Sequence, residues 1–298
     1  MKNFRNRQLL GKTITAFTFL LPLLVLYSLF IIWPVFQGIY VSLHKWGLMG
    51  KIRFLGLENY RLFLSDKFFW AGLWHTTWFV IISVPTLLLT SLVVALLANR
   101  ETPFKKVFRV SYYLPNILSV TVISFISRFM ASPYMGFIST VLHTFGILAP
   151  GQEIMWLTNP NLAWIVITSA TVWWTIGFSM MLNISALQDI PSQIYEAAEI
   201  DGAGKARQLF SITLPLLKPT TYLILLLQTI ASFRIFGQIF LITNGGPGNM
   251  TRPLIQYIYE AAFRQYDMGY GAAMSYALFL ILVVFSYIQI KFQNRGEK

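Results

Sequence analysis

Residues Ala71–Ala98 read AGLWHTTWFVIISVPTLLLTSLVVALLA, a stretch without Asp, Glu, Lys or Arg. A helix needs about 20 apolar residues to cross a bilayer, because each residue rises about 1.5 Å across a hydrocarbon core of about 30 Å. A backbone in lipid must also satisfy its own hydrogen bonds, which excludes an isolated strand. The stretch therefore predicts a membrane-spanning helix.

Five further stretches share this length and apolar character. They are Ile14–Ile39, Val110–Met130, Leu162–Leu187, Leu216–Ile242 and Gly269–Ile290. Together they predict an all-α, polytopic membrane helix bundle of about six spans, with kinks at the prolines in or beside the spans, namely Pro22, Pro34, Pro85 and Pro115. The first apolar stretch is longer than that of a signal peptide and lacks a small-residue cleavage site after it, so we expect it to be retained.

The composition agrees with a membrane protein. Only 11% of the 298 residues are charged, against about 25% in an average soluble domain. This argues against a soluble enzyme and against a disordered chain. The absence of cysteine excludes disulfides and thiolate metal sites, and three histidines far apart in sequence leave little material for a zinc site. We expect residues 1–12 to form a tail and residues 13–298 to form one transmembrane domain.

The basic residues predict the orientation of the spans. The formal charge is +12, and Lys and Arg cluster beside the apolar stretches, which is typical of membrane topology rather than nucleic-acid binding. Fourteen of them flank the spans on the side of both termini and seven lie on the other side. Both termini are therefore predicted to be cytoplasmic. Arg128, near a span end, is expected to snorkel, whereas Arg234 lies deeper in the fifth predicted span.

One cytoplasmic segment, within residues 188–217, differs from a plain connector. Residues Ile190–Pro215 read IPSQIYEAAEIDGAGKARQLFSITLP. Pro191 and Ser192 are typical of a helix start, with Ser192 as the expected cap. Gly202 is placed to end that helix, and a second helix is expected from about Gly204. The apolar face of this second helix is predicted to consist of Ala206, Leu209, Phe210 and Thr213. On composition alone, a loop that merely connects two spans is an equally good interpretation.

The order Glu196-Ala197-Ala198, then Gly202, then Ile212-x-Leu214-Pro215 resembles the EAA loop of inner-membrane permease subunits of ATP-binding cassette (ABC) importers. Two further stretches resemble the carbohydrate-uptake branch of that family, near the maltose and glycerol-3-phosphate permeases. They are Phe54–Tyr60 (FLGLENY) and Thr243–Pro247 (TNGGP). The likeness extends through residues 257–271 and covers nearly the whole chain.

The resemblance implies a coupling role for the EAA segment. In that family the loop docks into a groove on a cytoplasmic ATPase subunit and transmits its movement to the spans. Carried over here, Glu196 would pair with a basic residue of the ATPase, Ala197 and Ala198 would pack in the groove, and Gly202 would form the turn. Asp201 and Arg207 would support these contacts. ATP and Mg²⁺ would then bind to the partner ATPase subunits and no cofactor to this chain. Gly204-Lys205 has no phosphate-loop glycine before it, since Glu199 stands there.

Candidate solute contacts lie in the fourth and fifth predicted spans. Thr171, Trp174, Thr175 and Phe178 have the spacing of one helical face, and Gln228 and Ser232 are one turn apart. Aromatic rings cover the apolar face of a sugar while hydroxyls and amides bind its OH groups, but the same residues are also typical of ordinary helix packing. By register from the EAA segment, they resemble the sugar-contacting positions of maltose-type permeases, together with Ala231. Arg234 fits either an ion pair between helices or an anionic solute.

The sequence thus predicts a permease subunit of an ABC importer for a sugar or related polyol or oligosaccharide, without catalytic residues of its own. The expected partners are a second related permease, two ATPase subunits, an extracytoplasmic solute-binding protein and membrane lipid, in a bacterial or archaeal cell membrane. The alternative is a secondary transporter or channel working alone, which predicts acidic or histidine residues in the spans. Only His75, near the end of a span, comes close to that pattern.

Overall fold

The computed structural model describes residues 17–149 and 151–296. The predicted tail 1–12 and the start of the first predicted span lie outside the described residues. Four helices are long and apolar enough to cross a membrane, and two strongly bent helix pairs raise the number to six if each pair is one span. The polytopic helical architecture predicted from the sequence is therefore confirmed.

The elements are named here in chain order. They are α1 (Phe17–Ser42), β1 (His44–Gly47), β2 (Gly50–Phe54), α2 (Glu58–Ser65), α3 (Lys67–Ala98), α4 (Lys105–Ile117), α5 (Val120–Met130), α6 (Phe137–Thr144), α7 (Pro160–Gln188), α8 (Ser192–Ile200), α9 (Lys205–Leu216), α10 (Lys218–Phe233), α11 (Gly237–Ile242), α12 (Leu254–Tyr259) and α13 (Met268–Gly296). The antiparallel hairpin β1–β2, a departure from a purely helical chain, pairs His44 with Phe54 and Gly47 with Gly50.

The third predicted span is not one continuous helix. The chain leaves helical geometry at Leu118 and Ser119, and α4 and α5 meet at 102°. Pro115, where a kink was predicted, lies in the last turn of α4 just before this break. Ser119 starts α5 by accepting a hydrogen bond from the Val122 amide at 3.4 Å.

The fifth predicted span is also interrupted. Helix α10 ends at Phe233, residues 234–236 are not helical, and α11 begins at Gly237. Arg234 was placed inside a continuous helix by the sequence analysis, and this was wrong. It follows the last residue of α10 and is exposed. A cation suits this position because the carbonyl end of a helix carries a partial negative charge.

Two prolines stand just after a π-helical turn. The turns Ser28–Ile32 and Leu209–Thr213 precede Pro34 and Pro215 by two residues. A proline has no N–H to donate and its ring clashes with the carbonyl four residues earlier, so the preceding turn widens by one residue. By contrast, Pro85 lies inside α3 without interrupting the helix.

The described chain forms two compact units, and the first comprises residues 17–66 and 258–277. Asn59 ties its hairpin to α2, because Nδ2 donates to the carbonyl oxygens of Ser42 at 2.8 Å and His44 at 3.1 Å. Tyr270 donates from its hydroxyl to Asp66 Oδ2 at 2.6 Å. A Cβ on Gly269 would lie 2.0 Å from the His44 carbonyl oxygen, so only glycine permits this approach.

The second unit comprises residues 67–257 and 278–296. Its core lies mainly between α3 and α7, where Phe79, Ile167 and Met180 are fully buried. Polar side chains also join the helices of this unit: Asn183 Nδ2 donates to Ser91 Oγ at 3.4 Å, and Gln289 Nε2 donates to Thr229 Oγ1 at 3.0 Å. Such bonds between helices are typical of bundles in lipid.

Gly177 allows a close approach between α4 and α7. An added Cβ would lie 2.5 Å from the Tyr112 carbonyl oxygen and 2.6 Å from Tyr113 Cα, both backbone atoms. We expect Gly177→Ala to lower the free energy of unfolding by about 1–3 kcal/mol, as overpacking does. Thermal unfolding in detergent would show it. Gly204→Ala is the control, because nothing lies within 4 Å of a Cβ there, and equal melting temperatures for both variants would contradict the prediction.

Candidate functional site

A cavity of about 420 Å³ in the second unit contains most of the residues predicted to contact solute. Its wall comes from α3, α5, α7, α10, α11 and the break between α10 and α11. Seven of the predicted residues line it: Thr171, Trp174, Thr175, Gln228, Ala231, Ser232 and Arg234. Phe178 does not line this cavity and is 40% exposed. The structure thus brings two separate sequence segments to one site.

The face of α7 is held in place by its own hydrogen bonds. Thr175 Oγ1 donates to the Thr171 carbonyl oxygen at 2.8 Å, and Thr171 Oγ1 lies 2.8 Å from the Ile167 carbonyl oxygen. Each hydroxyl has one proton, which Thr175 uses on a backbone oxygen and Thr171 shares between the Ile167 carbonyl oxygen and Gln238 Oε1, so the lone pairs remain to accept hydrogen bonds. These hydroxyls therefore suit a solute that carries OH donors.

Trp174 supports the break between α4 and α5. Its Nε1 donates to the Leu118 carbonyl oxygen at 3.1 Å, in the non-helical connection before α5. Non-helical backbone at membrane depth is tolerated where its polar groups find partners or line a cavity. The indole N–H is thereby committed to the protein, and the ring is left as an aromatic wall.

The residues of α10 combine packing with cavity lining. Gln228 Nε2 donates to Ser179 Oγ of α7 at 3.2 Å, and Ser232 Oγ lies 3.4 Å from Ser83 Oγ of α3. Gln228 and Ser232 are almost fully buried. Both side chains thus contact neighbouring helices, as the helix-packing interpretation predicted, and both also line the cavity.

Six lining residues escaped the sequence analysis: Phe79, Val120, Ile235, Phe236, Gly237 and Gln238. In a continuous helix Gln238 would be rotated about 240° from Ser232, six residues earlier, and would face away. The break at residues 234–236 turns it back toward Thr171, whose Oγ1 lies 3.0 Å from Gln238 Oε1. The FRIFG stretch, residues 233–237, gave no recognised sign of this interruption.

The EAA segment has the predicted helix-turn-helix shape. Helix α8 ends at Ile200, and Gly202, two residues later, has a left-handed φ of +78°. The Gly202 amide donates to the Glu199 carbonyl oxygen at 3.0 Å and the Ala203 amide to that of Ala198 at 2.8 Å, a Schellman ending. Ser192 is the first helical residue and not the cap, since Pro191 occupies that position without a side-chain bond.

The coupling candidates lie on an open surface of the described chain. Helix α8 has no buried residue, and Glu196, Ala197, Asp201, Gly202 and Arg207 are exposed, with Ala198 half-buried. Tyr195 connects α8 to α9, because its hydroxyl lies 2.9 Å from Thr213 Oγ1.

An ion pair closes the turn between α8 and α9. Lys205 Nζ donates to Glu199 Oε1 at 2.5 Å, and this hydrogen bond holds the pKa of the Glu199 carboxyl below its ordinary value. The buried side of α9 is formed by Gln208 and Thr213, whereas Ala206 and Phe210, predicted on an apolar face, are exposed. The π turn Leu209–Thr213 shifts the helical spacing on which that prediction relied.

The bent spans, the cavity between them and the exposed elbow of α8 and α9 are typical of a membrane transport protein. A sequence profile of the family described as "Binding-protein-dependent transport system inner membrane component" matches residues 67–295. The chain belongs to this family of membrane transport components.

Curated relatives align along nearly the whole chain. The sulfoquinovosyl glycerol transport system permease protein SmoG of Agrobacterium fabrum is 34% identical over 91% of this chain and 88% of its own length. The lactose transport system permease protein LacF of Rhizobium radiobacter is 32% identical over 93% of each. A crystal structure of a bacterial ABC transporter that imports the acidic polysaccharide alginate shares the fold, with a TM-score of 0.86, 20% identity and coverage of 99% of this chain and 100% of that one.

Proposed function

We propose that this chain is the solute-conducting permease of an ABC importer for a sugar or oligosaccharide. The cavity carries the proposal: it combines the Trp174 ring, the Thr171 and Thr175 hydroxyls and the Gln228 amide in one wall. This is the set of groups that a polyhydroxylated ring needs, an aromatic face and hydrogen-bonding partners around it. The named transport substrates of SmoG and LacF, both glycosides, support the same class of solute.

The exposed elbow at α8 supports coupling to separate ATPase subunits. Its small residues, Ala197 and Ala198, permit close approach of another protein, and Glu196 offers a carboxylate to a basic group. In this proposal ATP and Mg²⁺ bind to two ATPase partners, a second permease completes the membrane part, and an extracytoplasmic binding protein delivers the solute. The chain lies in a bacterial or archaeal cell membrane with both termini in the cytoplasm.

Reconstitution of the complete complex tests the proposal. The chain is co-purified with its neighbouring subunits, and the binding protein is screened against a carbohydrate panel by thermal shift. Proteoliposomes are then loaded with ATP and supplied with binding protein and the labelled sugar. We expect uptake that requires all three: ATP, binding protein and the second permease. Accumulation by this chain alone, driven by a proton or sodium gradient without ATP, would contradict the proposal and support a secondary transporter.

A further inference from the structure

The formal charge on the cavity wall is positive. Within the described chain, Arg234 is the charged residue that lines this cavity, and no carboxylate lines it. The ion pairs found between described residues involve other groups and leave the Arg234 guanidinium without a carboxylate within 4.0 Å. The end of helix α10 explains why a cation is tolerated at Arg234. It does not explain why this cation lines the cavity.

A second donor with no protein acceptor lies in the same wall. Gln238 is 3% exposed, and among the described residues its Nε2 has no hydrogen-bond partner. Its Oε1 faces the hydroxyl of Thr171 at 3.0 Å, so the amide is oriented with its N–H₂ group unsatisfied. This nitrogen is fully enclosed, and a buried donor without a partner costs about 1–3 kcal/mol, which a solute oxygen would relieve once the side chain turns toward the cavity.

A helix start adds partial positive charge to this wall. Val120, the first residue of the eleven-residue helix α5, lines the cavity beside Gly237. The first amides of a helix have no intrahelical acceptor and carry the positive end of its dipole. A guanidinium, an unsatisfied amide donor and a helix start therefore all favour negative charge in the same cavity.

We propose that the transported carbohydrate carries an anionic group, a carboxylate or a sulfonate, that binds to Arg234 and to Nε2 of Gln238. This rests on the proposed carbohydrate transport. The guanidinium binds such a group through two parallel N–H donors, and the amide adds a third. The Trp174 ring and the threonine lone pairs serve the neutral part of the same molecule.

The test uses the complete complex with its binding protein in ATP-loaded proteoliposomes. Two matched pairs of labelled probes are offered: digalacturonate with galactobiose, and sulfoquinovose with glucose. Each pair differs by acidic groups in place of neutral ones. We expect the wild type to transport an acidic probe. Arg234→Gln should lower the efficiency of that transport by about 10-fold to 100-fold, the usual worth of a hydrogen bond to a charged group. Arg234→Lys should lose less.

Gln238→Glu gives an independent result. The new carboxylate can still accept a hydrogen bond from Thr171, but a negatively charged oxygen replaces the N–H₂ donor. Repulsion should therefore exclude acidic probes, while any transport of neutral probes persists. Arg128→Gln is the control, because Arg128 carries the same charge at the end of α5 and does not line this cavity. A direct binding readout is the thermal shift of the ATP-free complex in nanodiscs, which acidic probes should produce in the wild type and not in Arg234→Gln.

The outcomes separate the two proposals. If the wild type transports neutral probes and Arg234→Gln has no more effect than Arg128→Gln, the anionic solute is refuted and carbohydrate transport stands. The same holds if Arg234→Gln lowers transport of acidic and neutral probes equally. If the wild-type complex transports neither these probes nor any other carbohydrate of the panel, both proposals are overturned.

Discussion

Glu196→Lys is expected to lower ATP-driven uptake by about 100-fold or more while the protein still inserts and assembles. The residue lies exposed on α8, so its replacement leaves the packing of the bundle intact. In the proposed complex its carboxylate pairs with a basic group of the ATPase, and truncating or reversing one partner of such an interfacial pair costs about 2–5 kcal/mol. Uptake by proteoliposomes and co-purification of the ATPase measure the two effects separately.

The control for this charge reversal is Glu101→Lys. Glu101 is an exposed acid on the same predicted side of the membrane, where it pairs with Lys105 at 2.6 Å. An exposed pair of this kind contributes about 1 kcal/mol or less, so near-normal uptake is expected. If Glu196→Lys and Glu101→Lys transport equally well, α8 does not couple the permease to an ATPase through Glu196.

Gly202→Pro tests the shape of the same elbow. Proline requires a φ near −65° and has no N–H, whereas Gly202 has a φ of +78° and donates to the Glu199 carbonyl oxygen. Loss of uptake comparable to that of Glu196→Lys is expected. Gly202→Ala keeps the amide and bears only the left-handed backbone cost of about 1–2 kcal/mol, so its effect should be clearly smaller.

Trp174→Ala is expected to lower uptake of the carbohydrate by about tenfold or more. The substitution removes the aromatic wall of the cavity and the hydrogen bond to the Leu118 carbonyl oxygen, which together are worth about 1–3 kcal/mol. Trp174→Phe separates these effects, because it keeps a ring and loses the donor. Initial uptake rates over a range of solute concentrations give the change.

The neighbouring tryptophan provides the comparison for that variant. Trp173 is 40% exposed and lines a different cavity, so Trp173→Ala should leave carbohydrate uptake close to that of the wild type. Unchanged uptake in Trp174→Ala, or an equal loss in both variants, would remove the aromatic wall from the proposed solute site.

The sequence predicted the place of the spans, and their number agrees if each bent helix pair is one span, because length and hydropathy decide which segments enter lipid. It did not predict where the third and fifth spans break. Neither Leu118-Ser119 nor Arg234–Phe236 contains proline or glycine, and the break at Leu118 is supported by a contact distant in sequence, the bond from Trp174 to its carbonyl oxygen. The hairpin β1–β2 was missed for a related reason, since the loop that contains it was assigned by charge and not by strand pattern.

Helical spacing predicted the site residues that lie on regular helices. Thr171, Trp174 and Thr175 face the cavity because α7 is regular, and Gln228 and Ser232 do so because α10 is regular up to Phe233. Phe178, one further turn along α7, lies beyond the end of the cavity. Gln238 could not be found from spacing, since the irregular backbone before it resets the direction of its side chain.

The bond between Trp174 and the Leu118 carbonyl has an evolutionary consequence. A transporter that adapts to a new sugar must reshape its wall, yet replacement of this indole also strips a peptide oxygen of its partner where water is scarce. A change of substrate specificity is therefore easier to accommodate at Thr175 or Ala231. Both residues line the same cavity, and neither side chain supports the break between α4 and α5.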